Sequence, residues 1–274
     1  AGKTAEFITA NGGNSAYETT GTSTNKTFTD ATKGTEGNPI LISTPAQFAR
    51  LSYLMNIGAS YYANASSRTY ASSYYKITAN LDMSTYMWVP TGWWADKTIS
   101  GLSGLESDEH YTIKNVCIYD SDSYQTNKVD RTAMFYSITN LFNVGFDNLT
   151  VVSSKQHASG VMFYQSNASA TYVTMKNTNL YSSKSGSTVS AFAYSVVNGM
   201  INSMSIIDTS FYLKATSSIF GIAQNTQYGS LLNNILIKGV TVNNTGNIGS
   251  SSRWIAQLQQ YATVKNIVVD VDGK

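Results

Sequence analysis

The sequence predicts an all-β protein of the parallel β-helix class, with a helix that caps its N-terminal end. Two apolar strand patterns return at intervals of roughly 30 residues from about residue 76 onward. No segment inside the repeats has helical periodicity, and one turn of the repeat alternates between Lys and Asp. Coils of strands stacked along one axis account for all three observations, because each strand then pairs with its equivalents in the neighbouring coils.

The composition limits the possible classes of function. Only 12% of the 274 residues are charged, against about 25% in ordinary globular domains, and Ser, Thr, Asn, Gly and 19 tyrosines supply the polar surface. This mixture is typical of extracellular β-proteins that contact sugars. Cys117 is the single cysteine, so an internal disulfide is excluded. No Cys/His cluster or apolar run of about 18 residues is present, so we expect no metal, no cofactor and no membrane insertion.

Changes in composition divide the chain into three predicted segments: an irregular polar lead-in at residues 1–38, a capping helix with a Tyr-rich connection at residues 39–75, and the β-helix at residues 76–274. In the helix, Thr44 suits the N-cap, Pro45 the first turn and Gly58 the end. One face of this helix is apolar and should close the end of the core: Phe48, Leu51, Leu54 and Met55.

Each strand pattern predicts a ladder of apolar side chains inside the coils. The first pattern, seen in GFDNLTVV and IIDTSFYL, aligns Val116, Leu149, Leu180, Phe211, Val240 and Ile267. The second pattern, seen in TAMFYSI and SGVMFYQ, has the anchors Phe135, Phe163, Phe192, Phe220 and Ile255. Because the four phenylalanines are nearly evenly spaced, we expect their rings to stack in one interior ladder.

One turn of the first pattern predicts two further ladders at the surface. Its charged positions are Lys114, Asp147, Lys176, Asp208, Lys238 and Lys265. With coils about 4.8 Å apart, alternating signs place each of the first five charges between opposite ones. The next position holds Asn115, Asn148, Asn177 and Asn266, interrupted by Thr209 and Gly239. Stacked asparagines can pass hydrogen bonds from coil to coil.

Several segments resemble the GLUG-type repeats of bacterial surface proteins, in order and at similar spacing, over residues 37–270. They are GNPILISTPAQFARLSYLMN, YYKITANLDMS, MWVPTG and SGLSGLESDEHYTIKNVCI. The resemblance implies a right-handed, pectate-lyase-like β-helix in a cell-surface adhesin. It also implies that Trp88 is structural.

The chain departs from the repeat where glycines typical of it are replaced, as in TAMFYSI and VSAFAYS. The Tyr-, Asn- and Ser-rich composition is also similar to the binding regions of lactobacillal serine-rich-repeat adhesins. Both resemblances imply an extracellular protein at the bacterial cell surface. Its wall-anchored parent would carry the signal peptide and the anchor outside this chain.

The acidic residues do not predict a catalytic site. Lyases and hydrolases of this fold need clustered carboxylates on one exposed strand face. The densest group here is Glu106, Asp108 and Glu109, in a predicted turn, and no Asp-Asp pair or Gly-His-Gly stretch is present. We expect no catalytic residues; a polysaccharide lyase or hydrolase remains the alternative, as does a structural stalk without a ligand.

Basic residues precede the anchors of the second pattern in every coil. They are Lys128, Arg131, Lys155, His157, Lys184, Lys214 and Arg253. Cations repeated on one side of a solenoid would form a positive strip whose potentials add, which favours a linear polyanion as ligand. The alternative is that these side chains only keep a weakly charged protein in solution.

The segment GWWADK places Trp93 and Trp94 side by side, and adjacent residues of an extended segment point to opposite faces. One indole can therefore face outward and stack on a sugar ring, with Lys97 near a carboxylate. Tyr61 and Tyr62, with Arg68, add aromatic and basic surface. Core packing against the helix is the alternative use of the indoles. Aromatic and basic side chains also suit single-stranded nucleic acid, the alternative polyanion.

Together these features predict a monomeric, non-catalytic binding region of an adhesin. The expected ligand is an anionic polysaccharide bearing uronic acids, either pectin-like or a mucin-like glycan of host glycoproteins. Among like charges, His157 should resist protonation until an anionic ligand stabilises its imidazolium. Binding should therefore tighten at mildly acidic pH.

Overall fold

The computed structural model of the chain describes five stretches: residues 32–57, 70–88, 101–119, 131–258 and 261–271. Within them the protein is a β-solenoid of about six turns, built almost wholly from parallel strands. The predicted parallel β-helix is therefore confirmed. Most of the predicted lead-in lies outside the described residues.

The described residues form one helix and 23 strands. The N-terminal part holds β1 (Ile40–Ile42), α1 (Pro45–Ile57), β2 (Tyr74–Ile77), β3 (Leu81–Asp82), β4 (Met87–Trp88), β5 (Leu102–Ser107), β6 (Thr112–Lys114), β7 (Cys117–Tyr119), β8 (Arg131–Thr132), β9 (Ile138–Phe142), β10 (Gly145–Asp147) and β11 (Thr150–Ser153). The C-terminal part holds β12 (His157–Ser159), β13 (Met162–Ser166), β14 (Ser169–Lys176), β15 (Asn179–Ser182), β16 (Ser187–Ser190), β17 (Ala193–Val197), β18 (Met200–Leu213), β19 (Ser217–Phe220), β20 (Ala223–Gln227), β21 (Leu231–Asn244), β22 (Ala256–Leu258) and β23 (Thr263–Asp270).

The strands lie in three sheets that run along the solenoid. The long sheet has 15 strands and includes β5, β9, β14, β18 and β21. The second sheet is short and pairs β8, β12, β16 and β19, and the third pairs β13, β17, β20 and β22. Each complete coil thus passes from the long sheet to the second and third sheets before it returns.

Left-handed backbone conformations bend the long sheet at two corners. One corner is occupied in successive coils by Asn115, Asn148, Asn177, Asp208 and Gly239, all with positive φ. The other is occupied by His110, Asn143, Tyr172, Ser203, Asn234 and Asn266. Asn and Asp enter the left-handed region more readily than other residues with a Cβ, which explains the recurrence of asparagine.

The predicted charge ladder is confirmed over Lys114, Asp147 and Lys176, which pair in register. In the next coil the equivalent position is occupied by Ile207. The predicted positions of Asp208 and Lys265 in this ladder are therefore wrong. Asp208 lies one residue later, at the left-handed corner with φ 56°, a conformation that the β-branched Ile207 would resist.

Asparagine side chains bridge neighbouring coils at the same corner. Asn148 Nδ2 donates to Asn115 Oδ1 at 2.8 Å, and Asn115 Nδ2 donates to Asp82 Oδ1 at 2.8 Å. The predicted placement of Asn266 in this ladder is wrong. It lies at the other corner and donates to Asn233 Oδ1 at 3.0 Å.

These bonds make the Asp82 carboxylate unusually acidic. The hydrogen bond from Asn115, followed by that from the Ser84 backbone, lowers the pKa of Asp82 from 3.8 to about 2. Because this pKa is depressed in the folded state, the interactions stabilise the fold above pH 3.8 and are lost as the pH falls through about 2. We expect Asn115→Ala to raise the pKa of Asp82, measured by NMR titration. An unchanged pKa would contradict this assignment.

The apolar ladder of the first pattern is partly confirmed. Val116 and Leu149 share one column, since the strands that follow them pair Cys117 with Thr150. Leu180 and Phe211 pair with each other in the adjacent column, beside Val151. The prediction fails there because the coils differ in length, so equal spacing in sequence does not give equal register.

The prediction that four phenylalanines stack in one interior ladder is wrong. The register pairs Phe135 with Met162, Met162 with Ala193, and Ala193 with Ala223. Phe192 is buried outside this column, where its backbone bonds to Val161 and Ile222, and Phe220 pairs with Ser190 in the second sheet. Phe163 is displaced from the main core altogether and joins Ala133 in a separate cluster.

Helix α1 packs on the N-terminal coils as predicted. Thr44 Oγ1 accepts a hydrogen bond from Gln47 N at 3.2 Å, and Gln47 Oε1 accepts one from Thr44 N at 3.1 Å, which completes a capping box. Phe48 is buried on Trp88, with ring centroids 4.5 Å apart. No helix of the described residues is long and apolar enough to cross a membrane.

Candidate functional site

The predicted aromatic site falls in segments outside the described residues. This holds for Trp93, Trp94 and Lys97, for Tyr61, Tyr62 and Arg68, and for the basic residue Lys128. Their roles stay predictions. The other predicted site residues all lie in described segments.

Three of the predicted basic residues form what we call the lysine column, Lys155, Lys184 and Lys214. Each follows a strand of the long sheet, and the register places Ser153 beside Ser182 and Ser182 beside Leu213 at the ends of those strands. The three lysines therefore occupy equivalent turns of three successive coils. Neighbouring coils are about 4.8 Å apart, so the column follows the direction of the solenoid axis. It is staggered, because Lys155 and Lys184 lie at the second residue after the paired strand ends, whereas Lys214 follows Leu213 directly.

Hydroxyl groups fix the backbone of these turns. Ser153 Oγ accepts a hydrogen bond from Lys155 N at 3.0 Å. Ser217 Oγ donates to the carbonyl oxygen of Lys184 at 3.5 Å, and Thr245 Oγ1 donates to that of Lys214 at 3.2 Å. Beneath the column, the buried hydroxyls of Ser182, Ser187 and Ser217 are linked at 2.8 Å each. The lysine side chains thus project from a rigid base.

Lys184 and Lys214 are exposed, and neither forms an ion pair with a residue that the structure describes. Just before them in sequence lie Tyr181 and Tyr212, whose rings stack at 4.3 Å with an interplanar angle of 6°. Tyr181 is 38% exposed. Sequence reasoning missed this pair, although a Tyr shortly before a Lys recurs in YSSK and YLK.

Arg131 and His157 lie next to each other on β8 and β12, directly paired in register. His157 Nδ1 is 2.7 Å from Thr188 Oγ1, and its ring centroid is 4.4 Å from that of Tyr194. Arg131 Cζ lies 4.4 Å from the centre of the Phe163 ring. The structure thus brings an arginine and a histidine together at the second sheet, close to aromatic rings.

Arg253 is not brought beside Arg131 and His157. Its register partner is Phe220, and its guanidinium donates to the carbonyl oxygens of Ser250 and Ser252, at 3.1 and 2.7 Å. The side chain is therefore held by its own loop. It lies apart from the lysine column and from Arg131.

The rings beside Arg131 form what we call the outer aromatic cluster, Tyr136, Phe163, Tyr164 and Tyr194. Phe163 stacks on Tyr194 at 4.4 Å and meets Tyr164 edge-on at 4.6 Å. It is only 2% exposed although it lies outside the main core. Partial burial raises the pKa of the Tyr136 and Tyr194 hydroxyls.

A groove of about 320 Å³ adjoins this cluster. It crosses three coils and is lined by Tyr136, Ser137, Thr139, Tyr164, Ser166, Ala168 and Val197. Sequence reasoning did not find it. The sequence does contain a signal, the Tyr that follows Phe in both MFYS and MFYQ. Whether these tyrosines line a groove depends on the geometry of the corner between the third sheet and the long sheet.

The predicted acidic turn is neutralised from within the protein. Lys76 Nζ lies 3.1 Å from Glu106 and 2.9 Å from Asp108, and hydrogen bonds, first to Asp108 and then to Glu106, raise the pKa of Lys76. Glu109 accepts a hydrogen bond from the Tyr111 hydroxyl at 3.0 Å. In the described segments no group of three His, Cys, Asp or Glu residues could hold a metal ion.

The described chain is a parallel β-solenoid protein with a column of lysines and a tyrosine-lined groove on its surface. Comparison with models of protein families, with curated proteins and with solved structures finds no match. The fold class is therefore shown by the structure alone, and the function has to be argued from the surface.

Proposed function

We propose that the protein is the non-catalytic binding region of a bacterial cell-surface adhesin that recognises anionic polysaccharide. The observation that carries the proposal is the lysine column, in which Lys155, Lys184 and Lys214 occupy equivalent turns of successive coils. The proposed partners are uronic-acid-bearing polysaccharides or the glycans of host glycoproteins. The proposed location is the outer face of the cell wall.

The geometry of the column favours a polymer over a small anion. Cations repeated along one line add their potentials, and a linear polyanion can follow that line over several repeats. Lys184 and Lys214 form no ion pair within the described residues, so their charges are available to a ligand. The stacked rings of Tyr181 and Tyr212 offer apolar surface next to these charges.

Acidic pH is expected to strengthen binding through His157. The groups that face it include Arg131 on β8, Thr188 on β16 and Tyr194 on β17, and Lys155 precedes it by two residues. An anionic ligand stabilises the imidazolium among these groups, so binding takes up a proton as the pH falls through about 6.5.

We expect a polyuronate to bind wild type more tightly at about pH 5 than at about pH 7.5, and His157→Ala to flatten this dependence. The measurement is a calorimetric titration of both proteins across that range. Parallel pH profiles for wild type and variant would remove His157 from the mechanism.

A glycan array at two pH values tests the proposed function as a whole. Hits confined to acidic glycans, stronger at the lower pH, are the expected result. An array without hits would favour a structural stalk, and competition by single-stranded nucleic acid would favour that polyanion. Release of unsaturated sugars from polygalacturonate, with or without calcium, would favour a lyase.

A further inference from the structure

The groove beside the outer aromatic cluster has the dimensions of a site for one sugar unit. Its volume of about 320 Å³ lies at the small end of ligand pockets, which start at about 300 Å³. Because three coils contribute to its walls, its shape is set by the packed solenoid and not by one flexible loop.

The chemistry of the lining suits a polyhydroxylated ligand. The hydroxyl groups of Ser137, Thr139, Tyr164 and Ser166 line the groove and make no hydrogen bond to any residue that the structure describes. A hydroxyl both donates and accepts, as the hydroxyl groups of a sugar do. Apolar surface for the C–H side of the ring comes from the tyrosine rings and from Ala168 and Val197.

A cation is fixed at the rim of the groove. Arg131 Cζ lies 6.0 Å from the centre of the Tyr136 ring and 5.9 Å from that of Tyr164, the two aromatic walls. Its guanidinium stacks on Phe163 at 4.4 Å, which holds the plane in place, and it forms no ion pair with the acidic residues of the described chain. A guanidinium edge matches the two oxygens of a carboxylate.

We infer that this groove is a subsite for one sugar unit that carries a carboxylate, with Arg131 as the carboxylate receptor. The inference rests on the proposed function and deepens it: the lysine column attracts the polymer, and the groove selects an acidic unit within it. A neutral sugar could use the hydroxyl groups of the groove but would supply no carboxylate to Arg131, which forms no ion pair within the described residues.

The direct test uses monosaccharides, which are too short to follow the lysine column. Saturation-transfer NMR with the whole chain compares galacturonate with galactose. We expect galacturonate to bind at least about tenfold more tightly, because hydrogen bonds to charged groups are the stronger ones. Tyr164→Phe keeps the ring on Phe163 but removes the hydroxyl, so galacturonate should bind about two- to tenfold more weakly.

Arg131→Lys keeps the charge and loses the planar fork, and Arg131→Gln loses both. We expect Arg131→Gln to abolish the preference for galacturonate over galactose, and Arg131→Lys to weaken it. Lys238→Ala is the control for net charge, since Lys238 pairs with Asp270 in the long sheet. It should leave binding of both sugars unchanged.

The outcomes separate this inference from the proposed function. Absence of galacturonate binding, equal binding of the two sugars, or binding that survives both Tyr164→Phe and Arg131→Gln overturns the inference. If polygalacturonate then still binds through the lysine column, the proposed function stands without the groove. If galacturonate binds as expected while the affinity for the polymer does not depend on the lysines, the inference about the groove is supported and the role of the lysine column is contradicted.

Discussion

Replacing Phe163 with alanine is expected to lower the free energy of unfolding by about 3 to 5 kcal/mol, the range for buried aromatic side chains. Phe163 is only 2% exposed and contacts Tyr194, Tyr164 and the Arg131 guanidinium. Its removal leaves a cavity beneath these groups, because the strands that carry them are fixed in register. Urea unfolding followed by circular dichroism measures the loss.

Phe142→Ala is the matched control for this substitution. Phe142 is 39% exposed and meets Tyr172 edge-on at 5.8 Å on the outside of the long sheet. We expect its replacement to cost less than about 1 kcal/mol, as for most surface changes. Equal losses for the two variants would contradict the packing of Phe163 in the outer aromatic cluster.

Trp88→Ala is expected to destabilise the N-terminal coils even more. The indole is 1% exposed and packs between Phe48 of helix α1 and Phe135, with centroids at 4.5 and 5.2 Å. Loss of the ring should cost about 3 to 5 kcal/mol. Its Nε1 also donates to Met134 O at 2.7 Å, so an unsatisfied buried carbonyl adds about 1 kcal/mol or more.

Trp88→Phe separates the two contributions. It keeps most of the packing but removes the donor, and we expect a loss of about 1 to 3 kcal/mol. Hydrogen exchange should show faster opening of α1 and β4 in Trp88→Ala. If exchange of α1 were unchanged in that variant, the helix would not depend on Trp88 for its packing.

The sequence was sufficient to predict the coil architecture, because every coil repeats the same alternation of buried and exposed positions. It also identified the Lys114, Asp147 and Lys176 ladder, since these residues end strands that pair in register across three coils. The prediction failed where coil lengths vary. Asp208 lies one position later than predicted, because its backbone adopts the left-handed conformation of the corner. Phe163 lies outside the main core, because β13 pairs with β17 in a register that differs from the predicted one.

The candidate site was only partly visible in the sequence. The lysine column follows from the short distance between each lysine and the end of its strand, which the sequence preserves. Arg253 does not follow its long-sheet strand closely, since β21 ends at Asn244, and its own loop binds the guanidinium. The groove could not be predicted, because its walls come from three coils and depend on how the third sheet meets the long sheet.

The central claim is that the lysine column binds a linear polyanion, and the most direct test is a calorimetric titration with polygalacturonate. Wild type, Lys184→Ala/Lys214→Ala and the control Lys238→Ala are compared at about 0.05 and 0.5 M salt, which straddle a screening length of about 10 Å. We expect roughly tenfold weaker binding in the double variant at low salt, since exposed ion pairs contribute up to about 1 kcal/mol each. We also expect wild type to lose affinity at high salt and Lys238→Ala to match it throughout. An affinity for polygalacturonate that changes neither with salt nor with the substitution of the two lysines would contradict the claim.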